Sequence, residues 1–165
     1  MALTGDILAS YRSPGRVLSR RMARRDDGRA EGRALVTLML ACFLIFIAQW
    51  PRLAREAHLT GGDLNMMLGG ALLGWLFIAP LILYAMAGIS HLIARPMGGR
   101  ASYTEARMAL FWGLLAAAPL WLAWGLVAGM IGSGPWLDAL GIVALLAFLG
   151  IWGMGLWSVE TRQSA

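Results

Sequence analysis

MALFWGLLAAAPLWLAWGLVAGMI, residues 108–131, carries no charged side chain over 24 positions. About 20 residues rising 1.5 Å each cover the ~30 Å of a bilayer's hydrocarbon, so this run is long enough to cross as one helix. Four residues, GSGP (132–135), separate it from WLDALGIVALLAFLGIWGMGLW, residues 136–157, whose one charge, Asp138, lies at its start. A link that short makes the two helices antiparallel neighbours. Two more runs lie upstream. Ala34 to Trp50 is bounded by Arg33 and by Pro51-Arg52 and extends toward Arg29 if its arginines snorkel. Leu64 to Ala94, closed by Arg95-Pro96, is 31 residues long. That exceeds one upright crossing, so it is tilted, kinked at Pro80, preceded by an interfacial turn over Leu64 to Leu68, or split into a re-entrant pair around Gly69-Gly70 and Pro80. The expected fold is an all-α polytopic membrane bundle of four spans, five if that run divides.

Composition agrees. Of 165 residues, 59% are hydrophobic and 14% charged, with mean hydropathy +0.66, against about 45–50% and about 25% in soluble domains. The single cysteine, Cys42, excludes a disulfide-stapled module and reads as packing. Every basic residue is arginine and glycine is frequent, a usage that suggests a GC-rich bacterial genome. Eight of the 14 arginines lie in residues 1–33, two between the first spans, three between the second and third, and one in the tail. Alternate loops therefore hold twelve against two, and the positive-inside rule puts both termini in the cytoplasm of a multi-pass protein of the bacterial inner membrane. The arginine-rich lead is too long for a cleaved signal peptide, and no small-residue cleavage site follows it, so the first run is expected to be a retained anchor.

Three regions follow: a basic cytoplasmic segment (1–33), a transmembrane helical domain (34–158) and a cytoplasmic tail (159–165). In the first, Ser13-Pro14 reads as an N-cap followed by proline at the first helical position. Val17, Leu18 and Met22 then fall on one side, and Arg12, Arg16, Arg20 and Arg24 recur every four residues on another. Such a helix is expected to lie on an anionic leaflet, and Leu3, Ile7, Leu8 and Tyr11 form a second short stripe of that kind. The alternative is that these arginines serve only as the topology signal. No aromatic residues interleave them, which disfavours nucleic acid as a partner.

Helix association in lipid relies on close approach through small residues. Gly70 and Gly74, then Ala109, Gly113 and Ala117, then Gly125 and Gly129 have the four-residue spacing for such faces. In the last span Gly141, Ala144, Ala147, Gly150 and Gly153 recur every three residues, a pattern that wraps around the helix. Pro80 and Pro119 lie mid-span, where each removes a backbone donor and is expected to kink its helix. Trp50 and Trp136 are expected at the outer interface, Trp112 and Trp157 at the inner one, and Trp75, Trp121, Trp124 and Trp152 deeper.

Little points to chemistry. The spans carry Thr37, Cys42, Gln49, Tyr84, Ser90 and His91 but no mid-depth carboxylate or arginine, which argues against proton pumps, ion-coupled transporters and intramembrane metalloproteases. His91 has no HExxH motif or second ligand beside it and reads as an interfacial hydrogen-bonding group. His58 reads as solvated. No catalytic, cofactor-binding or metal-ligating residue is assigned, and no cofactor is expected. The expected partners are the bilayer and other membrane proteins or a second copy of the chain.

The order of these segments resembles a known family. Ser13-Pro14 ahead of the first span, the Met86 to Ala94 helix end, the turn Gly98-Gly99-x-x-x-Tyr103, and Pro119 within Ala117-Ala118-Pro119 are similar to bacterial members of the Yip-one family of Ypt/Rab-interacting proteins. The resemblance implies a small multi-span protein, typically of five crossings, of an organising or interaction type without enzymatic activity. Its eukaryotic branch acts in vesicle traffic through Rab GTPases and carries an Asp-Leu-Tyr-Gly-Pro type motif that this chain lacks, so Rab binding is not carried over. A membrane-organising scaffold or accessory subunit is the leading expectation. A small transporter or channel for an apolar substrate, built around Pro80 and Pro119, is the alternative, and an enzyme relying on Ser90 and His91 a distant third.

Overall fold

The computed structural model describes residues 3–23, 30–94 and 103–160, and every element among them is helical. The helices are α1 (Leu3–Arg12), α2 (Pro14–Ala23), α3 (Ala30–Thr60), α4 (Leu64–Leu73), a π-helical turn (Gly74–Ile78), α5 (Ala79–Ala94), α6 (Tyr103–Met130) and α7 (Pro135–Glu160). Among the described residues four stretches are long and apolar enough to cross a membrane: Glu31–Thr60, Leu64–Ser90, Tyr103–Met130 and Pro135–Ser158. The protein is thus an all-α, multi-pass membrane bundle, with the second apolar run as one span.

Two boundaries differ from expectation for physical reasons. Helix α3 does not stop at Pro51 but continues to Thr60, placing Arg52 and Arg55 on helix rather than in a loop. The missing Pro51 N–H leaves the Ile47 carbonyl without its usual donor, yet Pro51 is seated against Gly129 of α6, where the absence of a side chain gives the ring room. In the second run the distortion precedes Pro80. The Ala79 N–H bonds the Gly74 carbonyl, five residues back instead of four, and this wider turn accommodates the proline ring one residue later.

The ends are capped by local chemistry. Gly61 takes φ +66° after α3, and the Gly62 N–H closes on the Ala57 carbonyl at 3.1 Å, a Schellman ending that favours glycine. Asp63 then caps α4, accepting from the Asn65 N–H at 2.8 Å. Arg55 reaches across to the end of α6 and donates to the carbonyls of Gly129 and Met130 at 3.4 and 3.3 Å. There it meets orphan acceptors and the negative end of the helix dipole.

Helix α6 is central. It is buried on all sides from Ala109 to Ala118, whereas beyond Pro119 only Gly125 and Ala128 are buried. Helix α3 packs on it through Ala34, Leu38, Ala41, Ile45 and Ala48, a 3-4 spacing that steps to Leu53 and Ala57 across Pro51. Helix α7 uses Ala144, Phe148, Ile151 and Gly155 in the same rhythm. That is a single coiled-coil-like seam, where the three-residue recurrence in the sequence implies a pattern winding around the helix.

The docked amino-terminal arm and the open face of the second span

Helices α1 and α2 form an arm against α6 and α7. Ser10 is fully buried; its hydroxyl donates to the Asp6 carbonyl at 2.8 Å and accepts from the Trp112 indole N–H at 2.9 Å. Tyr11 donates its hydroxyl proton to the Ala116 carbonyl at 2.9 Å. That carbonyl adjoins the one at Leu115, which loses its helical donor at Pro119. On α2, Val17 and Leu18 are buried, Leu18 meets Gly155, and Gly15 lies against Ser158. Arg12, Arg16 and Arg20 are exposed on the other side; Arg24 lies outside the described residues. Val17 and Leu18, on the apolar side of α2, are therefore seated on protein and not on lipid; the side chain of Met22 lies outside the described residues. Trp112 likewise is not an interfacial tryptophan: it is 1% exposed, while Trp50, Trp136 and Trp157 are exposed.

The small-residue positions separate into two groups. Ala109 and Ala117 are buried in the core. A Cβ on Gly113 would lie 3.2 Å from the Trp152 backbone nitrogen, one on Gly125 would overlap the Ala48 carbonyl, and one on Gly129 would collide with Pro51. These three are close approaches of helix to helix. Gly70 and Gly74 have nothing within 4 Å, so among the described residues no helix uses the face they form. No residue from Leu64 to Met86 is buried. The span runs along the side of the bundle with one flank open.

At the arm-side end, the Arg107 guanidinium lies between the rings of Tyr84 and Tyr103, 5.3 and 5.1 Å from their centroids. It also pairs with Glu31 at 3.2 Å. The two tyrosines and Glu31 tie α3, α5 and α6 together where spans two and three are joined. Glu31 is largely exposed, so the ion pair itself contributes little and the cation–π stacking more. Ser90 bonds its own helix at the Ala87 carbonyl, 2.9 Å away; the side chain of His91 lies outside the described residues. Among the described residues no group of three or more His, Cys, Asp or Glu side chains is placed to hold a metal.

Sequence reasoning missed the arm's anchors, Ser10 and Tyr11, because one hydroxyl on a short helix carries no signal of its distant partner. It also missed Ala34, Ala41 and Ala48, whose seven-residue spacing is legible once sought. No curated protein and no solved structure matches the chain. A family model, the Yip1 domain, matches residues 8–165, taking in the end of α1, all of α2 and the four spans. The chain belongs to the Yip1 domain family.

Proposed function

We propose that this Yip1-domain protein is a non-enzymatic membrane-organising scaffold or accessory subunit, and that the open flank of its second span receives a transmembrane helix of a partner. The observation that carries the reading is the division among the glycines. Gly113, Gly125 and Gly129 are filled by the chain's own helices, while Gly70 and Gly74, at the same GxxxG spacing, face open space on a span with no buried residue before Ala87. In lipid, a small-residue face gains most from another backbone brought close. The arginine distribution supports both termini in the cytoplasm of a bacterial inner membrane, with Arg12, Arg16 and Arg20 free to meet anionic headgroups.

Affinity purification from a mild detergent with mass spectrometry tests this. A stoichiometric membrane partner is expected with the wild type and is lost in Gly70→Ile/Gly74→Ile at unchanged abundance. A clean homo-oligomer that conducts substrate in liposomes would refute the scaffold reading in favour of a transporter.

A further inference from the structure

We infer that the arm inserts into a single leaflet, so that the protein is wider in that leaflet and partitions to membrane curved convexly on the arm side. The inference does not depend on a partner helix at Gly70 and Gly74. It rests on three observations. The first is depth. Helix α6 has 28 residues, ~42 Å long with its midpoint at Ala116 and Ala117, so ~30 Å of hydrocarbon centred on it begins near Arg107. Trp112 then lies ~7 Å and Ala116 ~13 Å inside that boundary, and these are the residues that hold Ser10 and Tyr11. The arm's other anchors, Gly155 and Ser158, lie at the same end of the bundle. Every one of these contacts falls in one half of the membrane.

The second is surface chemistry. Leu3, Leu8 and Tyr11 of α1 are exposed, Leu8 by 73%. Beside Trp112 the surroundings of Leu8 and Tyr11 are acyl chains, while Arg12, Arg16 and Arg20 are exposed on the arm, their long stems able to carry the guanidinium groups toward the phosphates. That charge complementarity fits a headgroup-and-chain boundary rather than a soluble protein partner. The third is the bundle itself. Helix α6 is buried on all sides from Ala109 to Ala118, mostly in the arm-side half, and past Pro119 only at Gly125 and Ala128. One helix of ~10–12 Å diameter added to four enlarges the section of that leaflet by about a quarter, with α2 adding more at headgroup level. A body wider in one leaflet has lower energy where that leaflet is expanded.

The test uses the full chain in phosphatidylethanolamine/phosphatidylglycerol vesicles. In Leu8→Cys with Cys42→Ala, a spin label at position 8 is expected to be reached by oxygen and shielded from an aqueous nickel complex, like one at Leu146 on the exposed face of α7. Tubes are then pulled from giant vesicles carrying chain with an N-terminal fluorophore, and the fraction reached by an external quencher is compared between tube and flat membrane. A tube-to-flat ratio above one is expected for the wild type, falling to one in Leu8→Glu, a substitution at a side chain that is 73% exposed. A label reached by the nickel complex overturns the insertion. A shielded label with a wild-type ratio of one overturns the curvature preference.

Discussion

Replacing Gly125 with alanine adds one methyl where α3 and α6 cross most closely. The new Cβ would overlap the Ala48 carbonyl oxygen and lie 2.7 Å from its carbon and 3.1 Å from the Ala48 Cα. All three obstructing atoms are backbone, so no rotamer change relieves the collision and the helices must separate. Restoring an ordinary 3.4 Å contact to the carbonyl carbon alone needs a shift of about 0.7 Å, enough to forfeit roughly a quarter to a half of each neighbouring dispersion contact. The neighbours are the Ile45 to Pro51 stretch on one side and Gly125, Ala128 and Gly129 on the other. Overpacking of this kind costs about 1–3 kcal/mol, or roughly 5- to 150-fold in the unfolding equilibrium. Gly70→Ala and Gly74→Ala are the controls: their Cβ atoms meet nothing within 4 Å, and helix propensity favours alanine by up to about 1 kcal/mol. Reversible unfolding in mixed micelles, followed by tryptophan fluorescence, compares them. Gly125→Ala is expected to unfold well before either control. Equal stability would refute the close crossing, and recovery by Ala48→Gly would show that the Ala48 methyl, not its carbonyl, is the obstacle.

Four further outcomes are expected. Tyr11→Phe removes the donor to the Ala116 carbonyl and weakens arm docking by about 0.5–1.5 kcal/mol, seen as faster amide exchange in α1 and α2 with the spans unchanged. Arg55→Ala uncaps α6 and costs about 1–2 kcal/mol, with exchange rising at residues 127–132; Arg55→Lys restores part of it, because one ammonium replaces a fork of donors. Gly132→Ala destabilises, since φ there is +94° and the added Cβ would lie 2.9 Å from an Arg55 guanidinium nitrogen; loss of the α6–α7 hairpin is the readout. Cys42, buried in α3, resists maleimide in native membranes and reacts after denaturation.

The four crossings were legible because bilayer thickness imposes one length on every span, and uncharged runs of that length stand out. Packing partners were less legible. Gly125-x-x-x-Gly129 and Gly70-x-x-x-Gly74 are the same pattern, yet among the described residues only the first meets another helix, because spacing records that a backbone can approach and not which one does. The 3.6-residue periodicity of α2 showed an apolar side at Val17 and Leu18 but not whether lipid or protein would cover it. Trp112 was misplaced for a related reason. Its position near a span end suggested an aromatic belt, whereas the arm folds over it and its indole N–H finds Ser10 instead of a headgroup. Pro51 read as a stop because a proline inside a helix costs a hydrogen bond, and the seat that Gly129 provides is a tertiary fact 78 residues away. Arg107 was counted only as a loop charge in the topology, whereas at the bundle's end it lies between Tyr84 and Tyr103 and pairs with Glu31, partners that spacing along the chain does not reveal.

The proposal that the open flank of the second span receives a partner helix is tested most directly by photocrosslinking in native membranes, with a photoreactive side chain placed singly at Gly70, at Gly74, and at Leu146 on α7 as the lipid-facing control. One defined protein adduct at Gly70 and Gly74, competed away by Gly70→Ile or Gly74→Ile at the other position, with lipid adducts alone at Leu146, is the predicted result. Lipid adducts alone at all three positions would contradict it.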